Sequence, residues 1–398
     1  MKFQVAKSDL MFALNTVSPA KGSTEGDINS HFLFRFVPGT TDKLQVLAGA
    51  SRLYAHCDIP KVVVKEGEEK EMFTVEGWRL LGWLGLLGDV ALDFETLPNA
   101  EVLIKAGKGR QQRFRSLDHA LFPFSDLMIK NAQSLGKLSA KRLSTALTIS
   151  RLFASKNESE KADVVVVDIL KGIVRATDKR GVMTFLKLHN ADEIKFRVHY
   201  KEINAITNFL GQVGDEDIEI FDEPRAGFIK RLSDDAIMGE TRFQTKFPNM
   251  PNPDDKDQRV WEVKVSDLRE AAMHGFFSAQ KGDDRLFFQI IDNDTLKVSM
   301  LTETNTGGAE AMTIPVKVTT NDPAAPALPP EGIAISQPHI IALCDFTTDE
   351  TIRLGVNTLT RADGKTQRYV RVEIKMFVDE KTGDHDKYVF VLVGLAWI

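Results

Sequence analysis

Cysteine is nearly absent: Cys57 and Cys344 are the only two in 398 residues. Two thiols build neither a disulfide framework nor a cysteine-rich zinc site, and they suit a reducing compartment, so a cytoplasmic protein is expected. No run of about 18 apolar residues occurs, and the longest, around Leu80–Leu87, is interrupted by glycines, which excludes a membrane-spanning helix. The N-terminal MKFQVAKSDL lacks an apolar signal core and reads as the start of a folded domain. A basic excess is lacking too. Fifty-one Lys+Arg against 56 Asp+Glu give a net charge of -5. That excludes a uniformly basic nucleic-acid coat but leaves room for a basic surface in a chain acidic elsewhere. What remains, 43% hydrophobic and 27% charged, is ordinary globular composition, and the length fits two or three domains of about 100–200 residues.

The familiar catalytic patterns are missing as well. There is no GxxxxGK[ST] phosphate loop, no GxSxG elbow and no HExxH helix. Ala106-Gly107-Lys108-Gly109-Arg110 has glycines and bases at the wrong spacing and reads as a hairpin. The histidines at 31, 56, 119, 189, 199, 274, 339 and 385 are scattered, with no pair at metal-ligand spacing. The chain therefore reads as a non-enzyme with no cofactor and no metal.

What the chain does have is an internal repeat. Leu10-Met11-Phe12-Ala13-Leu14, Leu143-Ser144-Thr145-Ala146-Leu147 and Leu268-Arg269-Glu270-Ala271-Ala272 share one pattern, at offsets of 133 and 125 residues. Each follows a short alternating run suited to a strand. Ser8, Ser139 and Ser266 stand where N-caps would accept an orphan backbone N–H. A second landmark, Gly88-Asp89 and Gly214-Asp215, recurs after 126 residues, and Thr351–Val356 takes that place in the last third. Phe122-Pro123 and Phe247-Pro248 open polar linkers. The boundaries expected are 1–134, 135–257 and 258–398. Within each third the order is strand, helix, strands, helix, strands, so two β-α-β-β-β units per domain are expected, in an α+β fold of mostly antiparallel hairpins. In the middle third, strands are expected at 163–169, 172–176, 182–188, 193–198, 217–221, 227–230 and 241–245, and a second helix at 201–210.

The helix expected over 140–156 carries Lys141, Thr145, Thr148, Arg151 and Ser155 on one face, opposite Leu143, Ala146, Leu147, Ser150 and Ala154. Between Gly136 and Lys161 six bases meet two acids. Such a face can track phosphates, and it is equally the solvated side of an amphipathic helix. Three equivalent helices around one axis would add modest charges into one mildly basic lining. The run Lys105–Arg115 has five bases and no acids, and reads as a rim or a solvated hairpin. Nothing resembles a recognition helix or an aromatic stacking platform.

These residues together resemble the bacterial sliding clamp, the beta subunit that serves as processivity factor of the replicative DNA polymerase. The resemblance rests on Met1-Lys2-Phe3-Gln4-Val5 with Leu10, Leu14 and Val17-Ser18. It continues through Ala106-Gly107, Arg113-Phe114, Ser116-Leu117-Asp118 and Phe122-Pro123, then Ala176-Thr177-Asp178 and Phe243-Gln244-Thr245-Lys246-Phe247-Pro248. It implies three tandem clamp domains and a closed ring formed by a head-to-tail homodimer, with helices lining the hole. The partners it implies are double-stranded DNA bound without sequence preference, the polymerase and a clamp loader.

By the same resemblance, DNA contacts fall on Lys21, Lys141, Arg142, Arg151, Lys156, Asn157 and Lys281. A pocket for partner peptides falls on Thr177, Lys179, Arg180, Gly181, Val182, Pro248, Val391, Val393 and Leu395. Lys179–Val182 stand where the family has Gly-His-Arg-Leu, and the chain ends in Val-Gly-Leu-Ala-Trp-Ile. Those departures motivate an alternative: a clamp-fold interaction protein that no longer encircles DNA and competes for replication partners.

Overall fold

In the computed structural model the three Leu-x-x-Ala segments lie on three helices, each entered directly from a strand. Residues 1–50, 52–107, 109–123, 132–156, 166–178, 182–241, 247, 259–278, 285–292, 295–300, 311–321, 333–360, 366–376 and 386–393 are described. The first third runs β1 (Lys2–Ala6), α1 (Lys7–Val17), β2 (His31–Phe36), β3 (Leu44–Ala50), β4 (Leu53–Asp58), β5 (Val63–Glu66), β6 (Met72–Glu76), α2 (Gly77–Gly85), β7 (Ala91–Leu97), β8 (Glu101–Ala106) and β9 (Arg110–Arg115). The second has β10 (Gln133–Ser139), α3 (Ala140–Phe153), β11 (Val166–Leu170), β12 (Ile173–Thr177), β13 (Val182–Lys187), β14 (Lys195–His199), α4 (Ile203–Gly211), β15 (Asp217–Asp222), β16 (Ala226–Arg231) and β17 (Ile237–Thr241). The third has β18 (Arg259–Lys264), α5 (Val265–Ser278), β19 (Arg285–Asp292), β20 (Thr295–Met300), β21 (Ala311–Asn321), β22 (Ile333–Ser336), α6 (Gln337–Phe346), β23 (Thr351–Thr360), β24 (Thr366–Met376) and β25 (Asp386–Val393). The fold is α+β, and its hairpins and both joints pair antiparallel.

The repeated Leu and Ala residues are the buried face of their helices. Leu10, Ala13, Leu14, Leu143, Ala146, Leu147, Leu268, Ala271 and Ala272 are all buried. The serines expected as N-caps do not serve as such at α1 and α5, because Ser8 and Ser266 lie one residue inside helices that start at Lys7 and Val265. The entering amide is satisfied by backbone instead. Lys7 N donates to Val90 O, Ala140 N to Glu216 O and Val265 N to Glu350 O, each at 2.9 Å. In all three cases the acceptor lies at or just before the strand that pairs with the one leading into the helix. Main chain thereby satisfies one of the four orphan amides at each of these helix starts.

The chain forms two compact units. The first comprises 1–145 and 193–244, the second 146–192 and 245–398. In the first unit one sheet has the order β5-β1-β7-β8-β9 and another β10-β15-β16-β17-β4-β3-β2-β6. The faces of these sheets meet over a stack of phenylalanines: Phe3 lies 4.5 Å from Phe94 and Phe34 lies 4.8 Å from Phe73, ring centre to ring centre. Offset stacks of this kind add to the apolar burial itself. The larger sheet is continuous from the second third to the first through β17·β4, where Leu53 pairs with Glu240, Tyr54 with Gly239, Ala55 with Met238 and His56 with Ile237.

In the second unit the strand order is β11-β12-β13-β25-β24-β23-β18-β21-β20-β19-β22. Here β13·β25 makes the equivalent joint, from Val182↔Leu392 to Lys187↔Lys387. Of the strand expected at 241–245 only Thr241 is described, as the last residue of β17 (Ile237–Thr241), and 242–245 lie outside the described residues. Gly239 looks like a strand breaker in sequence. In the fold it is required, because a Cβ there would overlap the Tyr54 ring across the joint.

Candidate functional site

Helix α3 presents the basic face that its sequence suggests. Lys141, Thr148 and Leu152 are exposed, Arg142, Thr145 and Arg151 are half-buried, and Leu143, Ala146, Leu147, Ile149, Ser150 and Phe153 are buried. Ser155 departs from the expected face. It is buried, because the chain has left the helix and its amide donates to Thr177 O at 3.3 Å. Lys156 stands exposed just beyond it. Arg151 lies in the last turn, where a cation faces the negative end of the helix dipole. The Lys141 ammonium pairs with the Asp215 carboxylate at 3.2 Å. Both groups are largely exposed, so the pair contributes little and is easily exchanged for a phosphate.

Lys21 follows a 3₁₀ turn at Ser18–Ala20, and its stem lies against Gly77 at the start of α2. Its ammonium donates to Gly22 O at 3.1 Å. Burial lowers its pKa, while the nearby Glu76 carboxylate works the other way. Arg79, which sequence reasoning passed over, is exposed on α2, pairs with Glu76 at 2.9 Å and stacks over Trp78 with 5.2 Å to the ring centre. Asn157 and Lys281 lie outside the described residues.

The expected pocket residues that are described gather at one corner of the second unit's sheet. Thr177, the last residue of β12, pairs with Met183, and Met183 pairs with Val391. Val182 begins β13 opposite Leu392, and Val393 ends β25 opposite Tyr369. Thr177, Val182, Val391 and Val393 are thus brought together by three adjacent strands, β12, β13 and β25. Phe153 of α3 lies 5.0 Å from His339 of α6 between ring centres. Thr177 is buried. Lys179, Arg180, Gly181, Pro248 and Leu395 lie outside the described residues, whereas Phe247, before Pro248, is described and buried.

Sequence reasoning missed Arg175, on the same strand as Thr177. Its guanidinium binds the Asp168 carboxylate and covers the Phe247 ring at 4.8 Å from the ring centre. The sequence signal is slight: an arginine in the apolar run Ile173-Val174-Arg175-Ala176. The basic hairpin at 105–115 is β8 and β9, as its solvated reading requires. Of β9 only Phe114 is buried, and Arg113 meets Glu101 at 3.6 Å.

Among the described residues no group of three or more His, Cys, Asp or Glu could hold a metal ion. Among them, too, no helix is long and apolar enough to cross a membrane. Comparison with protein-family models and with curated proteins finds no match. Comparison with solved structures finds many. The DNA polymerase III subunit beta of Pseudomonas aeruginosa matches over 100% of both chains at 15% identity and a TM-score of 0.75. The sliding clamp of Bacillus subtilis matches over 100% of both chains at 15% identity and 0.74. A Pseudomonas aeruginosa sliding clamp bound to griselimycin matches over 100% of both chains at 15% identity and 0.70. With the whole length aligned in each case, the chain has the fold of the DNA polymerase III beta sliding clamp.

Proposed function

We propose that this chain works as a sliding clamp of three domains, 1–134, 135–257 and 258–398. Two copies join head to tail, encircle duplex DNA without reading its bases, and tether a polymerase and a clamp loader through short peptides. It acts without catalysis, cofactor or metal. The observation that carries this reading is the repeated joint. At β4·β17 and again at β13·β25, the last strand of one domain's first β-α-β-β-β unit pairs with the last strand of the next domain's second unit. The same step leaves β21 and β9 still to be matched. β9 ends its sheet. β21 pairs with β20 over Ala311–Pro315 and then crosses to β18.

Pairing β21 of one copy with β9 of another, twice, closes a ring and removes the open edges. The helices follow the same logic. In the first joint Gln212, which follows α4, donates to Asn15 O of α1 at 3.1 Å, and in the second α6 meets α3. The open joint then joins α2 to α5 of the other copy, and α2 presents the exposed Trp78 and Leu86.

Such a ring holds DNA by topology, so contacts from Lys21, Lys141, Arg142, Arg151, Lys156, Asn157 and Lys281 serve best when weak. Partner peptides enter at Thr177, Val182, Pro248, Val391, Val393 and Leu395, framed by Lys179, Arg180 and Gly181. The test is retention: the loaded protein should stay on nicked circular DNA and run off after linearisation. Equal loss from both forms rejects encirclement.

One observation favours the second reading, a clamp-fold competitor that does not encircle DNA. Arg269 on α5 is tied to Asp345 on α6 at 2.7 Å, and Asp267 and Glu270 lie beside it on α5, so these helices carry little free positive charge. A particle of one 44.4 kDa chain at micromolar concentration selects that reading, and a particle of twice that mass selects the ring.

A further inference from the structure

Helix α1 ends at Val17, and Ser18-Pro19 follow. In a continuing helix the carbonyl of Asn15 would accept from the amide of residue 19, but residue 19 is proline and has no N–H. Gln212, which follows α4, supplies the missing donor: its Nε2 donates to Asn15 O at 3.1 Å. The other end of the same amide is held by Arg231, whose Nη1 donates to Gln212 Oε1 at 2.6 Å. Arg231 is only 2% exposed, and it is itself fixed. Its Nε donates to Asp234 Oδ1 at 3.1 Å, its Nη1 also reaches Phe209 O at 3.3 Å, and its plane covers the Phe209 ring at 5.0 Å from the ring centre. A guanidinium only donates, so the Gln212 amide has one orientation, oxygen to Arg231 and nitrogen to Asn15 O. Asp234, Arg231, Gln212 and Asn15 thus form one chain of hydrogen bonds, from the β16–β17 turn to the end of α1. Directly beyond that end stand the Ser18–Ala20 turn and Lys21, whose amide donates to Ser18 O at 3.0 Å.

We propose that Gln212, aimed by Arg231, is a positioning residue for Lys21: it closes the end of α1 that Pro19 leaves open and so fixes the turn from which Lys21 meets duplex DNA. The inference rests on the DNA contact assigned to Lys21 above and adds a residue that acts through it. Glutamine suits this role because it accepts at one end and donates at the other. Glutamate would keep the bond to Arg231 and lose the donor to Asn15 O, and methionine, of similar length, would lose both.

The test uses Gln212→Met and Gln212→Glu in the full chain; Gln212 is exposed, so neither opens a hole in the core. Amide hydrogen exchange over residues 16–22 should be about fivefold faster in both, the loss of one net hydrogen bond, with exchange in β4 and β17 unchanged. Affinity for a short DNA duplex is then measured across a salt series for Lys21→Ala, Gln212→Met and the two combined. Each single variant should make the log–log salt slope shallower by up to about 0.9, one phosphate, and the combination should go no further. Unaltered exchange over 16–22 overturns the proposal. So does duplex binding by Gln212→Met equal to that of the unaltered protein, and so do losses that add in the combination, since Gln212 then acts apart from Lys21. If Lys21→Ala binds the duplex as the unaltered protein does, the DNA contact itself falls and takes the positioning role with it. The exchange data then still decide whether Gln212 holds the turn.

Discussion

The backbone amide of His199 donates to Oε1 of Glu240 at 2.9 Å, while Oε2 of that carboxyl has no partner among the described residues. Glu240 is fully buried in β17 at the joint with β4, facing Glu202 and Arg52. Desolvation raises its pKa well above the ordinary 4.5, more than the His199 amide and Arg52 lower it, and Glu202 adds to the rise. One residue type at one position thus makes the joint sensitive to pH.

Glu240→Gln should stabilise the protein at neutral pH. The folded form holds its proton more tightly than the unfolded chain. Stability is therefore full below pH 4.5 and is lost as pH rises towards the raised folded value. Urea unfolding of the variant should show a shallower loss of stability as pH rises above 4.5, where one proton accounts for a slope of at most ~1.4 kcal/mol per pH unit. An unchanged slope assigns the pH dependence to other groups.

His56 acts from the opposite limb. Burial first, then Arg35, lowers its pKa to about 4, and it sits in the same joint opposite Ile237. The folded form prefers neutral imidazole, so its contribution is whole above pH 6.5 and is lost as pH falls towards 4. His56→Gln should flatten the acid limb across that window, read as the unfolding midpoint at pH 5 relative to pH 7.

Gly239→Ala should destabilise the joint by about 1–3 kcal/mol, because the added methyl meets the Tyr54 ring. The joint is a four-pair ladder backed by that ring, so relief by backbone shift would disturb β17·β4 itself. Gly227→Ala, whose added methyl would meet Phe196 and not Tyr54, gives a matched control on β16, the strand next to β17. Chemical denaturation should find Tyr54 fluorescence changing first in Gly239→Ala and not in Gly227→Ala.

Arg151→Glu with Lys156→Glu should leave folding intact and shorten retention on nicked circular DNA. For every phosphate these side chains cease to neutralise, the log–log salt slope should also become shallower by about 0.9. Retention equal to the unaltered protein removes this end of α3 from the DNA-facing surface.

How far the sequence alone reaches can be judged from particular residues. Leu143, Ala146 and Leu147 announce a buried helix face because a helix repeats its environment every three or four residues, within the span of the pattern itself. The hairpin of β8 and β9 is legible for the same reason. The joint at Tyr54 and Gly239 is not. It depends on two strands 185 positions apart, and a glycine within a strand reads as a break until the ring that fills its space is known. The clasp of Phe247 by Arg175 is hidden likewise, since stacking across 72 residues leaves no local period. Seven of the expected site residues, Asn157, Lys281, Lys179, Arg180, Gly181, Pro248 and Leu395, fall outside the described structure.

The bonds from Lys7 N, Ala140 N and Val265 N to the carbonyls of Val90, Glu216 and Glu350 have a further consequence. Main chain bonded to main chain places almost no demand on which side chain occupies either end. A turn secured in this way is indifferent to lettering: substitutions can accumulate there without loosening it. Architecture and vocabulary are then free to part company, and a chain alike in only 15% of its residues can still trace the same path from end to end.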